Sequence, residues 1–202
     1  MLKYYVYISR TKVDMLYPQI PPDALAAAEA EVKLSLGVIS TGFRKRRPEP
    51  SRELAARASV VAAYIRKHED VGTPQSPQAW SEAVTPLRWG VVHRYASDIA
   101  LFAGQVGDVT VALLGSSTSI VGTSSTTEAQ HGLFYYTLEF FNTVLERDAL
   151  VRQEPPYYTW PDAVEIGMGA LPQTPYNMEF LARVVHTENS LVIASPLYVA
   201  LT

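Results

Sequence analysis

The sequence predicts an α+β fold: one domain, residues 1–202, in which a mixed, mainly antiparallel sheet is covered by helices. Three observations carry this. Strand-type segments stand at both ends of the chain. Between them, runs rich in Val, Ile and Leu alternate with stretches whose apolar residues recur at helical spacing. No internal repeat is visible, and no linker is long enough to divide the chain.

Residues 2–9 are rich in Tyr, Val and Ile, which suit a pleated, half-buried surface, and are expected to form the first strand. Ser9 to Pro22 reads as irregular because Pro18, Pro21 and Pro22 interrupt any continuous element. Asp23 is placed to cap a short Ala-rich helix through Ala30. Val32, Leu34, Leu36 and Val38 then alternate with Lys33, Ser35 and Gly37, a period of two that predicts a second strand. Arg44 to Pro50 reads as a charged loop. Ser51 is expected to cap a helix with Leu54, Ala58, Val61 and Ile65 on one stripe.

Asp70 to Pro77 is a turn-rich connection. Leu87–Val92, Ile99–Ala103 and Val109–Leu114 read as strands, the last two joined by a hairpin over 104–108. From Thr127 to Arg147, Leu133, Tyr136, Phe140, Phe141, Val144 and Leu145 fit a long amphipathic helix. Pro155 to Pro161 is an aromatic-rich loop. Thr174-Pro175 resembles a cap and first helical position, predicting a helix with Phe180, Leu181, Val184 and Val185 inward. Glu188-Asn189 turns the chain into a closing strand, Leu191–Leu201, where Pro196 marks an edge or a bulge.

Composition narrows the function. Hydrophobic residues make up 48% and charged residues 18%, a folded composition. Seventeen Lys and Arg against 20 Asp and Glu leave a net charge of −3, so nucleic acid and anionic membranes are not expected as partners. Cys is absent, which removes disulfides, thiolate zinc sites, iron–sulfur clusters and a thiol nucleophile. The four histidines, His68, His93, His131 and His186, show no metal-ligand spacing, so neither metal nor cofactor is expected. The N-terminus lacks the cleavage-site pattern of a signal peptide, and no apolar run approaches the roughly 20 residues of a membrane span. A cytoplasmic location is the expectation.

Two segments carry the candidate ligand-binding residues. After the first strand, Lys12 offers a charge for an anion, and Asp14 an orienting group or a base. The loop Gly115-Ser116-Ser117-Thr118-Ser119 follows another strand. Its small residues admit close backbone approach, and its N–H groups and hydroxyls suit a phosphate or carboxylate. It has neither the Lys of a P-loop nor the spacing of a nucleophile elbow. The predicted site is therefore Lys12, Asp14, Gly115, Ser116 and Ser117, converging on one anion-accepting hollow, with no catalytic residue assigned. Three weaker patterns are a basic run, Arg44–Arg47 with Arg52 and Arg57, a possible triad of His93, Asp98 and Ser116 or Ser117, and an aromatic patch, Tyr157, Tyr158 and Trp160.

Several pieces together resemble an uncharacterised actinobacterial family of about this chain's length. They include Tyr4-Tyr5-Val6-Tyr7-Ile8-Ser9, Lys12-Val13-Asp14-Met15-Leu16, Pro18-Gln19-Ile20-Pro21, Val71-Gly72-Thr73, Leu87-Arg88-Trp89-Gly90, Gly115-Ser116, Glu179-Phe180-Leu181-Ala182-Arg183 and Ser195-Pro196-Leu197-Tyr198-Val199-Ala200-Leu201. The resemblance implies one complete unit with no established reaction, in an accessory role in a bacterial regulatory or conflict system. Members often carry a His in the glycine-serine loop where this chain has Ser119, which argues against a catalytic loop here.

The reading that results is a non-enzymatic sensing or adaptor domain that binds a small polar or anionic ligand, or a protein partner. The alternative is an enzyme on a phosphorylated or nucleotide-like small molecule, with Asp14 as general base. A third reading, nucleic-acid binding, rests on Arg44–Arg47 alone.

Overall fold

A computed structural model describes residues 3–35, 50–92, 98–122, 135–152 and 159–202. The helix–strand mixture is as expected, but the sheet closes on itself. Strands β3 (Trp80–Val91), β4 (Ile99–Val106), β5 (Val109–Ser116), β6 (Tyr176–Glu188) and β7 (Leu191–Leu201) form a five-membered ring. β3 pairs with β4 and β6, β4 with β5, and β7 with β6, all antiparallel; a parallel β5–β7 pair closes the circuit. Two further strands are appended. β1 (Tyr4–Ile8) runs antiparallel to the end of β7, and the two-residue β2 (Val71–Gly72) is parallel to β3.

Alternation along the strands explains why this ring is stable. In β4, Ala100 and Phe102 point into the barrel while Ile99, Leu101 and Ala103 point out; in β5, Val111 and Leu113 point in while Ala112 and Leu114 point out. Leu87, Met178, Phe180 and Val199 complete the barrel filling. Both surfaces of β7 are covered, so its run from Leu191 to Ala200 is buried throughout.

Two helical layers provide that cover. On one side α4 (Tyr135–Arg152) and α5 (Trp160–Gly169) place Phe140, Val144, Ala163 and Val164 on Leu101 and Leu114. On the other, α1 (Arg10–Leu16), α2 (Pro22–Ser35) and α3 (Pro50–His68) bring Val13, Ala58, Val61 and Ile65 onto Trp80, Leu181 and Tyr198. Arg88 ties α5 to β3: its guanidinium donates to the Met168, Leu171 and Pro172 carbonyls at the helix C-terminus, where a cation is favoured.

Three expected elements are corrected. Ser9–Pro22 is not irregular. Ser9 caps α1, Pro18 sits at the start of a 3-10 turn, and Pro22 opens α2, positions where a missing N–H costs nothing. The predicted strand at Val32–Val38 is helix through Ser35; Leu25, Ala28 and Val32 recur at helical spacing and pack with the α3 cluster, and that long stripe outweighs a short alternation. Residues 36–38 lie outside the described residues. The helix predicted after Thr174-Pro175 is strand β6. Phe180, Leu181, Val184 and Val185 fit both periods, and the β7 register decides.

Other boundaries shift without changing type. β3 begins earlier than Leu87, and the 104–108 hairpin tightens to a two-residue turn with Gly107 at φ 61°. Sequence reading missed α5, although Thr159 and Asp162 form a capping box at its start. Pro196 does mark a bulge. Leu181 pairs with Tyr198 but Ala182 with Pro196, so Leu197 is the extra residue.

Candidate functional site

The bulge in β7 explains the position of Lys12. Along one edge β7 pairs with β5 over 191–194 and with β1 over 198–201. Between those neighbours its backbone has no strand partner on that edge among the described residues, and the start of α1 fills the gap. Ser9 N donates to the Leu197 carbonyl at 2.9 Å. Lys12 Nζ donates to Ser195 Oγ at 2.8 Å and the Pro196 carbonyl at 3.1 Å, with Ser9 Oγ at 3.4 Å. Among the described residues no carboxylate lies within ion-pair distance of this amine. Desolvation without a counter-charge lowers the Lys12 pKa to about 7.

Lys12 also lines a pocket of about 300 Å³ between α1, α3 and the barrel. Ile20, Val61, Ile65 and Trp80 supply apolar wall, and Tyr64, Glu69, Gln19 and Arg183 supply polar groups. The Arg183 guanidinium lies 5.8 Å from the Trp80 ring centroid, at cation–π distance, and has no carboxylate partner among the described residues. The size and the mix of an apolar wall with a few convergent polar groups are those of a small-molecule site. Neither Trp80 nor Arg183 stood out in the sequence. Their convergence depends on the β3–β6 register, which pairs them directly.

The other predicted residues are placed elsewhere. Asp14 is exposed and pairs with Arg57 at 2.8 Å, so it faces α3. Gly115 and Ser116 end β5, with Gly115 packed against the buried Tyr7 ring, and Ser117 begins a 3-10 turn. Ser116 Oγ caps that turn and shares a hydrogen bond with Thr118 Oγ1 at 2.8 Å. Thr118 and Ser119 line a second, larger cleft of about 1010 Å³ beside β1, with Arg10, Trp89 and Tyr176. Lys12 and the glycine-serine loop therefore do not share one hollow. They are linked through the buried Tyr7 hydroxyl, which reaches Ser9 on one side and Ser116 and Ser119 on the other. Burial raises the pKa of that phenol.

Gly115 has a packing role that follows from this. A Cβ there would stand 2.2 Å from the Tyr7 hydroxyl and 2.8 Å from its Cζ, and Tyr7 is only 1% exposed, without room to move. Gly115→Ala is expected to cost about 1–3 kcal/mol in urea unfolding, an overpacking effect. A neutral substitution would show that the packing around Tyr7 is slack.

Of the weaker patterns, Arg44–Arg47, His93, His131, Tyr157 and Tyr158 lie outside the described residues. Arg52 is exposed, and Arg57 stacks over Tyr17 at 4.8 Å. Trp160 folds back onto Phe141, 4.0 Å between ring centroids, and covers core. His68 stacks on Tyr64, and His186 stands 3.5 Å from Glu188. Among the described residues no cluster of three or more His, Asp or Glu is placed to hold a metal, and no helix is long and apolar enough to cross a membrane.

Fold and site together define a small closed β-barrel between two helical layers, with a basic, aromatic-walled pocket under one of them. The chain belongs to a family of unknown function, DUF7019, whose model matches residues 3–202. No curated protein and no solved structure matches it.

Proposed function

We propose that this protein is a non-enzymatic sensing domain that binds a small organic anion in the pocket lined by Lys12, Trp80 and Arg183. The observation that carries the reading is the meeting of the Arg183 guanidinium and the Lys12 amine, neither with a carboxylate partner among the described residues, on an apolar wall of fitting size. The anionic group faces Arg183, and the apolar body packs on Trp80, Ile65 and Val61. Glu69 lines the same pocket and disfavours a second negative charge on the ligand, so a monoanion is preferred to a phosphate. A ligand there touches α1, α3, β3 and β6 at once, so occupancy ties the helical layer to the barrel. That coupling is what a sensor or adaptor requires.

Benzoate tests this. At ten times its Kd it should raise the melting temperature by roughly 3–5 °C. Arg183→Ala should abolish the shift while leaving the circular dichroism spectrum unchanged. An unaltered shift in that variant, or none in the parent protein with any of several small carboxylates at millimolar concentration, would overturn the reading.

A further inference from the structure

We propose that Lys12 is a covalent capture point, where the pocket takes a small aldehyde or ketone as an imine. The inference rests on reading this pocket as a ligand site, and it names the group the ligand presents to Lys12. Three observations carry it. Lys12 lines a pocket that also carries the apolar side chains Ile20, Val61, Ile65 and Trp80. Its amine is held by Ser195 Oγ, Ser9 Oγ and the Pro196 carbonyl, all neutral groups, so no carboxylate fixes it as an ammonium. A hydroxyl, Ser195 Oγ, lies 2.8 Å from the nitrogen, close enough to pass a proton.

The reaction balances without a further reactant. The neutral amine adds to the carbonyl carbon, forming the C–N bond, and a proton moves from nitrogen to the carbonyl oxygen to give a carbinolamine. Loss of that oxygen as water, with the second amine proton, leaves the C=N bond. Hydrolysis reverses both steps, so capture is reversible and consumes nothing, as a sensor demands. A desolvated amine with a pKa of about 7 is about half neutral at pH 7, whereas a surface lysine is about one part in 10³ neutral.

The chain has five lysines: Lys3, Lys12, Lys33, Lys45 and Lys67. Lys3 is engaged by Glu179, and Lys67 is exposed on α3, so Lys67 serves as the internal reference. The full chain is treated with benzaldehyde and sodium cyanoborohydride at pH 7, and the benzylated peptides are mapped by mass spectrometry. Lys12 should be labelled at least tenfold faster than Lys67, and that preference should shrink at pH 9, where all the lysines react faster. Ser195→Ala, which keeps Lys12, should slow labelling at Lys12 several-fold and leave Lys67 unchanged. Labelling of Lys67 with Lys12 untouched would overturn the proposal and leave Lys12 as a strut for the β7 bulge; benzoate binding could survive that result. Lys12 labelled without protection by benzoate would keep the imine and remove the anion reading.

Discussion

Raising the pH from 7 to 9 should stabilise this protein by about 2 kcal/mol, through Lys12. In the unfolded chain that amine titrates at its ordinary value of about 10.4. In the folded protein burial lowers its pKa to about 7, and its hydrogen-bond partners Ser9, Ser195 and the Pro196 carbonyl bring no negative charge to offset that. Below pH 7 both states hold the proton, and folding carries the full cost of burying the charge. Between pH 7 and about 10 the unfolded chain keeps a proton that the folded chain has released, so stability rises with pH.

The rise has a ceiling. Tyr7 and Tyr198 are buried phenols and Tyr5 a partly buried one, all with raised pKa values, and above about pH 10 the unfolded tyrosines ionise first, which turns the curve down. Other charged groups on the same pocket are Glu69 and Arg183. Urea midpoints at pH 7, 8 and 9 measure the effect. Lys12→Met should flatten that slope, since it removes the titrating group. A flat curve in the parent protein, or an unchanged slope in Lys12→Met, would show that the amine is not desolvated as described.

Phe102→Ala is expected to cost about 3–5 kcal/mol and lower the melting temperature by roughly 10 °C. Phe102 is fully buried inside the barrel and meets Tyr7 edge-on and Trp89 face-on, each at 5.6 Å between ring centroids. Removing the ring leaves a void that a closed barrel cannot collapse around, because its five strands are fixed to one another by hydrogen bonds. The Tyr7 contact also reaches Ser9, the cap of α1, so the void lies one residue from the Lys12 site. Urea unfolding checks the magnitude. A loss below about 1 kcal/mol would mean that the ring is not part of the barrel filling.

The acidic side of the stability curve has a separate origin. Arg66 near the end of α3 donates to Glu82 at 2.7 Å, Glu179 at 3.2 Å and the Tyr198 hydroxyl at 2.7 Å, and Lys3 also reaches Glu179. Burial alone would raise the Glu179 pKa, but hydrogen bonds from Lys3 and Tyr198 and the nearby cations hold it below the ordinary carboxylate value. This contribution is present at neutral pH and fades as the pH falls through the folded-state pKa. The cluster fastens the first strand and α3 to the barrel, so it also steadies one wall of the pocket.

Local pattern was enough for much of the chain. The period of two in 99–103 and 109–114, the helical stripe of Leu54, Ala58, Val61 and Ile65, and the bulge at Pro196 are each set by neighbours within a few residues, and all are found. Lys12 was also legible as a polar residue just past a strand end. Where the expectation failed, two periods fitted the same residues. Phe180, Leu181, Val184 and Val185 suit a helix or a strand, and only the ladder to β7 selects one. Closure of the ring was not legible, since pairing of β3 with β6 joins residues about a hundred positions apart.

By itself, then, the sequence determined the α+β class, several strands and helices, and the candidacy of Lys12, because those depend on contacts local in the chain. Tertiary structure alone decided that Asp14 turns to Arg57, that the glycine-serine loop opens on a different cleft, and that Trp80 and Arg183 join Lys12. The physical reason is one of range. A pocket wall is assembled by strand register and helix docking, and neither leaves a periodic trace in the residues it brings together.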